Sequence, residues 1–242
     1  MSKPLLTIGL PVYNGENTIP KLIDSLVFQT FRDFTLVISD NASTDSTQKI
    51  CENFVKKDPR IKYIKQQKNI GLIKNWNFIL EDATTKYFMW VEADDYYHPD
   101  FIKKNIQILE SNENFVGSTD NIIFFDGDTS PQAIHSIGSY EQKAIAYLKF
   151  NKGGGIFAIY RTKELQRSIV YVEHAAWDLQ LMLNILKFGD LNVINENLHY
   201  RSSKGISSKS NIAYEYSIGL SIPKIIFPYL TTTIFCLREF GI

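Results

Sequence analysis

Apolar residues along the chain gather into short unbroken runs that alternate with stretches of helical spacing. Residues 5–12 are apolar almost throughout and end in Tyr13-Asn14-Gly15, the pattern of a buried strand running into a loop. Behind Thr18, a capping residue type, and Pro20, suited to a first turn, Ile19, Leu22, Ile23, Leu26 and Val27 recur at helical spacing. A second strand is predicted over 34–39. The polar stretch 40–45 follows as loop and cap chemistry, before a helix with Ile50, Cys51, Phe54 and Val55 on its apolar face. The pattern continues with a strand over 61–64, a helix from beyond Gly71 to Leu80, a strand over 87–91 and a helix over 99–109. Strands alternating with helices through the first ~110 residues mean right-handed βαβ units around a mostly parallel sheet, an α/β fold.

The second half reads differently. A strand is predicted over 115–125, closing on Asp126-Gly127, then a helix over 140–150 and a strand over 156–160. Residues 175–188 form a helical pattern with Leu179, Met182, Leu183 and Leu186 on one face and Gly189 as its stop. The predicted division is a main domain over 1–210, with a first half over 1–110 and a second over 111–210, followed by a C-terminal helical segment over 211–242. Within that segment, residues 218–237 are apolar and carry one charge, Lys224, but contain Pro223, Pro228 and three consecutive threonines. They read as a packed helix, a peripheral membrane contact or a span.

Composition narrows the function classes. With 26 basic and 26 acidic residues the 242-residue chain has a formal net charge of zero, which argues against nucleic acid as a partner. Cys51 and Cys236 stand far apart with no C-x-x-C partner, so neither a zinc site nor a disulfide framework is indicated, and a reducing cytoplasm is the expected location. The N-terminus lacks the features of a signal peptide. No G-x-G-x-x-G follows the first strand and no G-x-x-x-x-G-K-[ST] occurs, which excludes the usual glycine-rich phosphate cradles.

The most informative segment is Glu92-Ala93-Asp94-Asp95, where the run 87–91 ends in three carboxylates within four residues. Ligands in open α/β sheets gather beyond the carboxyl ends of the strands, and hard divalent cations take oxygen ligands. The same carboxylates would also suit a polar loop entering a helix. Tyr13, Asp40 and Asp94 follow three such strand ends and should converge, with Tyr13 able to stack on a base and Asp40 able to accept hydrogen bonds from base or ribose. Together they describe a site for a nucleoside diphosphate.

The ordered set Pro11-Val12-Tyr13-Asn14-Gly15-Glu16, Asp40 to Asp45, Asn69-Ile70-Gly71, Glu92 to Pro99, Trp177-Asp178 and Leu198-His199-Tyr200-Arg201 resembles the inverting family-2 glycosyltransferases with the GT-A fold, over about 5–208. The resemblance implies that Pro11, Tyr13, Glu16, Asp40 and Asn41 form a nucleotide-sugar site, most often for a uridine nucleotide. It implies that Asp94, with Glu92 and Asp95, holds manganese or magnesium, and that Asp178 is the base of direct displacement. Glu92 stands where the usual motif has Asp, and Asn75-Trp76-Asn77 where many relatives have Ala-Arg-Asn. Lys74 is then the candidate cation for the phosphates, and Arg201 suits a diphosphate better than His199 does. Gly153-Gly154-Gly155 resembles the entry to an acceptor region. The implied partners are a nucleotide sugar, UDP-linked, and a glycan or lipid-linked acceptor. The alternatives are a sugar nucleotidyltransferase, against which the absence of Lys or Arg between Lys3 and Lys21 counts, and a non-catalytic sugar-nucleotide-binding module.

Overall fold

The computed structural model describes residues 3–125, 133–150, 153–171 and 176–202, with positions 234, 236, 238 and 239. Its first half follows the predicted alternation: β1 (Leu6–Val12), α1 (Ile19–Val27), β2 (Phe34–Asp40), α2 (Thr47–Lys57), β3 (Ile61–Lys65), α3 (Leu72–Glu81), β4 (Tyr87–Trp90) and α4 (Phe101–Ser111). A two-residue strand, β5 (Tyr96–Tyr97), lies between β4 and α4. Thr18 does occupy the N-cap of α1, but its hydroxyl makes no capping bond. Gly71, at φ 89°, turns the chain into α3 in the left-handed region that a side chain rarely adopts.

Where a single strand is predicted over 115–125, the structure has two: β6 (Phe115–Asp120) and β7 (Ile123–Phe124), which join different sheets. The break is fixed by Asp120, whose buried carboxylate turns from the ladder to bind the amides of Leu198 and His199. After α5 (Tyr140–Phe150), the three glycines and Ile156-Phe157 form a 3-10 turn, so that the predicted strand is only β8 (Ile159–Arg161). The short α6 (Thr162–Gln166), α7 (Trp177–Ile185), β9 (Asp190–Ile194) and β10 (His199–Arg201) complete the described elements.

The main sheet has the order β3-β2-β1-β4-β8-β6-β9. β3, β2, β1 and β4 are mutually parallel, β8 runs antiparallel between β4 and β6, and β9 is parallel to β6. The chain leaves β1 toward β2 and β3 and returns to β4 on its other side, so the strand order reverses at β1. That reversal opens a crevice at the carboxyl ends of β1 and β4.

Side-chain alternation splits β4 between two cores. Tyr87 and Met89 join β1, β2, α1 and α4 in one, whereas Phe88 and Trp90 join α3, α7 and the 3-10 turn in the other. A small second sheet, β5-β10-β7, sits beyond the end of β4. Both cysteines are free, Cys51 buried in the first core. No helix of the described residues is long and apolar enough to cross a membrane, and nearly all of 218–237 lies outside them, as does most of the expected segment 211–242.

Candidate functional site

Two loops at the ends of β1 and β2 are sewn together. The amides of Asn14, Gly15 and Glu16 donate to Ser43 Oγ, Thr47 Oγ1 and Asp45 Oδ2, and Glu16 Oε2 accepts from the Ser46 amide. Tyr13 stands out from this seam, 51% exposed, with a ring face open to a partner. Pro11 is half-buried in β1 opposite Ser39.

Asp40 and Asn41, expected at the nucleotide site, are held by partners within the protein. Asp40 is fully buried; its Oδ1 accepts from the Ser43 amide at 2.7 Å and its Oδ2 from the Tyr63 hydroxyl at 2.5 Å. Asn41 donates to Asn69 and to the Gly71 carbonyl and accepts from the Ile70 amide. Both carboxamide and carboxylate therefore brace the loops that frame the crevice, because each faces backbone and side-chain partners of those loops and of β3. Lys74 is exposed in the first turn of α3, the turn that Asn41 ties to the end of β2.

Beyond β4, Glu92, Asp94 and Asp95 each bring a carboxylate oxygen within 4.8 Å of the others. This set of hard oxygens fits a divalent cation. Two of its members already have partners on β10. Arg201 Nη2 donates to Glu92 Oε2 at 2.6 Å and its Nε lies 3.8 Å from Asp95 Oδ2. His199 Nε2 and Asp95 Oδ2 share a proton at 2.7 Å, with both side chains essentially inaccessible.

Burial drives His199 down to about 3, against the pull of Asp120, so the imidazole is neutral. Burial pushes Asp95 and Glu92 upward, opposed in both by Arg201. The imidazole also stacks on Tyr97, ring centroids 4.3 Å apart. His199 is thus a buried post, and Arg201, 14% exposed and 4.4 Å above the Phe157 ring, neutralises the acidic loop. Arg201, expected to suit a diphosphate better than His199, is here paired with Glu92.

Asp178 sits in the first turn of α7, and its Oδ1 accepts from the Leu179 amide at 2.8 Å. Burial holds its carboxyl above the usual carboxylate range, opposed by that hydrogen bond and by the charge of Arg201. A methyl group placed on Gly153 would lie 3.5 Å from Asp178 Oδ2, so the glycine turn borders the carboxylate. Arg201 therefore lies within electrostatic reach of Asp178 and of the acidic loop at once.

Three contributors escape the sequence pattern. Asp120 orders β10, Tyr97 seats His199, and Phe157 underlies Arg201. Asp120 closes β6 as Asp40 closes β2, but the strand predicted over 115–125 runs past it and hides that position. The other two look like ordinary core aromatics.

The family model described as Glycosyl transferase family 2 matches residues 7–168. Glycosyltransferase GlyA of Streptococcus pneumoniae is 28% identical over 224 residues, 88% of this chain and 31% of its own length. An uncharacterized glycosyltransferase of Haemophilus influenzae is 34% identical over 111 residues, 46% of this chain and 34% of its own. The chain spans about a third of the length of these curated relatives. Among solved structures, S. aureus TarS 1-349 in complex with UDP-GlcNAc superposes with a TM-score of 0.70 at 20% identity, over 97% of this chain and 73% of that one. Mannosyltransferase PcManGT from Pyrobaculum calidifontis, in complex with GDP-Man and Mn2+, gives 0.66 at 14%, over 97% and 65%. The shared architecture is the GT-A fold: a large, mostly parallel sheet flanked by helices.

Proposed function

The chain belongs to glycosyl transferase family 2, and from that membership we propose that it moves a sugar from a UDP-linked donor to a hydroxyl of a glycan or lipid-linked acceptor, with inversion at the anomeric carbon. The observation that carries this reading is the convergence of the Glu92, Asp94 and Asp95 carboxylates beyond the end of β4, beside the crevice where the strand order reverses.

Asp178 takes the proton of the acceptor hydroxyl as that oxygen attacks the anomeric carbon. The bond to the diphosphate breaks on the opposite side, and the nucleoside diphosphate leaves with the electron pair. Tyr13 offers its exposed ring to the base, while Pro11, Glu16, Asp40 and Asn41 shape the loops around the nucleoside and Lys74 stands at the phosphate end. A cation, manganese or magnesium, held by Asp94 with Glu92 and Asp95 would supply Lewis-acid charge for the leaving diphosphate. The borders of the glycine turn against Asp178 favour an acceptor entering there. A cytoplasmic site of action, peripheral at the inner membrane face for a lipid-linked acceptor, accords with this donor.

The likeness to structures that carry UDP-GlcNAc and GDP-Man with Mn2+ supports a nucleotide sugar and a metal. The test is a melting-temperature screen of nucleotide sugars with and without Mn2+, followed by nucleotide release with an acceptor panel. UDP-sugars should raise the melting temperature only with metal, and Asp94→Ala should lose that rise. Asp178→Asn should keep the metal-dependent rise yet release nucleotide at least a hundredfold more slowly. Wild-type turnover in Asp178→Asn would remove the base assignment, and a panel in which no nucleotide sugar binds would remove the function.

A further inference from the structure

All three tryptophans of the chain occupy one cluster, and Trp76 of α3 is its hub. Its ring lies 5.3 Å from Trp177 at 73°, 5.4 Å from Trp90 at 41° and 6.1 Å from Phe157 at 60°. The Trp90 indole N–H donates to the Trp76 carbonyl at 3.2 Å, adding a directional bond to the ring contacts. Each of the three partners leads into a part of the site. Trp177 immediately precedes Asp178, Trp90 ends the strand that feeds Glu92 to Asp95, and Phe157 closes the turn that begins at Gly153 and lies under Arg201.

Trp76 is itself 7% exposed, so it is enclosed by these elements and not displayed to a ligand. Edge-to-face aromatic pairs fix relative orientation as well as bury area, because the ring quadrupole favours particular approaches. Transfer depends on holding the base and the leaving-group side of the site at a set separation, where a shift of about 1 Å is costly. We propose that Trp76 is a positioning residue that fixes Asp178 relative to the acidic loop. It does so through contacts with the element bearing each, at a position where the resemblance would place an arginine.

This inference rests on the glycosyl-transfer reading for its kinetic test but not for its second readout. With UDP-GlcNAc and Mn2+ as probe, donor Kd by calorimetry and the rate of UDP release are compared in wild type, Trp76→Leu and Trp76→Phe. The core control Leu26→Ala lies in the other cluster. Trp76→Leu should lower kcat at least tenfold with donor Kd within twofold, Trp76→Phe should recover kcat to within about threefold, and Leu26→Ala should keep kcat. Unchanged kcat in Trp76→Leu, or kcat and donor affinity falling together, would overturn the proposal.

The second readout needs no turnover: the melting-temperature change caused by Asp178→Asn is measured in wild type and in Trp76→Leu. If Trp76 holds the carboxylate in place, that change should shrink at least twofold in Trp76→Leu; additive changes overturn the proposal. A wild type that neither binds nor turns over any nucleotide sugar would count against the function alone, leaving this coupling to decide on Trp76.

Discussion

Asp178, the proposed base, is a carboxylate whose burial carries a cost to stability. Burial raises its pKa above the reference value of 3.8, so the folded state favours the protonated form more than the unfolded chain does. The linked contribution is therefore fully present below the unfolded pKa and is lost as pH rises through the raised folded value. Asp178→Asn, which keeps an acceptor for the Leu179 amide but carries no charge, should melt higher than wild type at pH 7, and the gap should close as pH falls toward 4. Differential calorimetry across that range checks it; a pH-independent gap would mean the carboxylate is not desolvated. The sequence placed Asp178 at a helix start, but nothing local announced its burial beside the glycine turn, which lies some twenty-five residues earlier in the chain. For the same reason the type and strand-end position of Asp40 are legible, while its Tyr63 hydroxyl partner, which comes from β3, is not.

Among the elements, β10 does the most with the fewest residues. Three residues long, it pairs antiparallel with β5 and parallel with β7, and its inward side chains are His199 and Arg201. So short a strand has little ladder of its own, and Asp120 supplies the anchor by accepting both the Leu198 and His199 amides. Removing that acceptor strands two buried donors, each worth about 1–3 kcal/mol when unsatisfied. Asp120→Ala should therefore destabilise the protein by about 2 kcal/mol or more in urea unfolding. At the proposed cation site it should also weaken Mn2+ binding, because Glu92 and Asp95 lose the fixed Arg201 and His199 that pair with them. Full Mn2+ affinity in a folded Asp120→Ala would show that the acidic loop orders itself. The pattern left β5, α6, β9 and β10 unassigned; β5 and β10, two and three residues long, are too short to show an alternation.

At the scale of the whole molecule, the division at residue 110 is clear in the sequence and crossed by the structure. The first half was legible because each βα unit buries its own apolar run against its neighbours in sequence. The second half was not, because β8 lies between β4 and β6, and β9 pairs with β6 across some seventy residues. That insertion makes the two halves one sheet, and β4 places alternate side chains in both cores. A strand shared in this way leaves neither core complete without the other, so we expect the two cores to unfold as one cooperative unit. The tryptophans make this measurable: all three lie in the second core, so their fluorescence follows that core, whereas far-UV circular dichroism follows helices on both faces of the sheet. The two urea transitions should superimpose in midpoint and slope. A fluorescence transition preceding the loss of ellipticity would mean that the core built on β1, β2, α1 and α4 keeps its structure alone, and that β4 is completed on one face only.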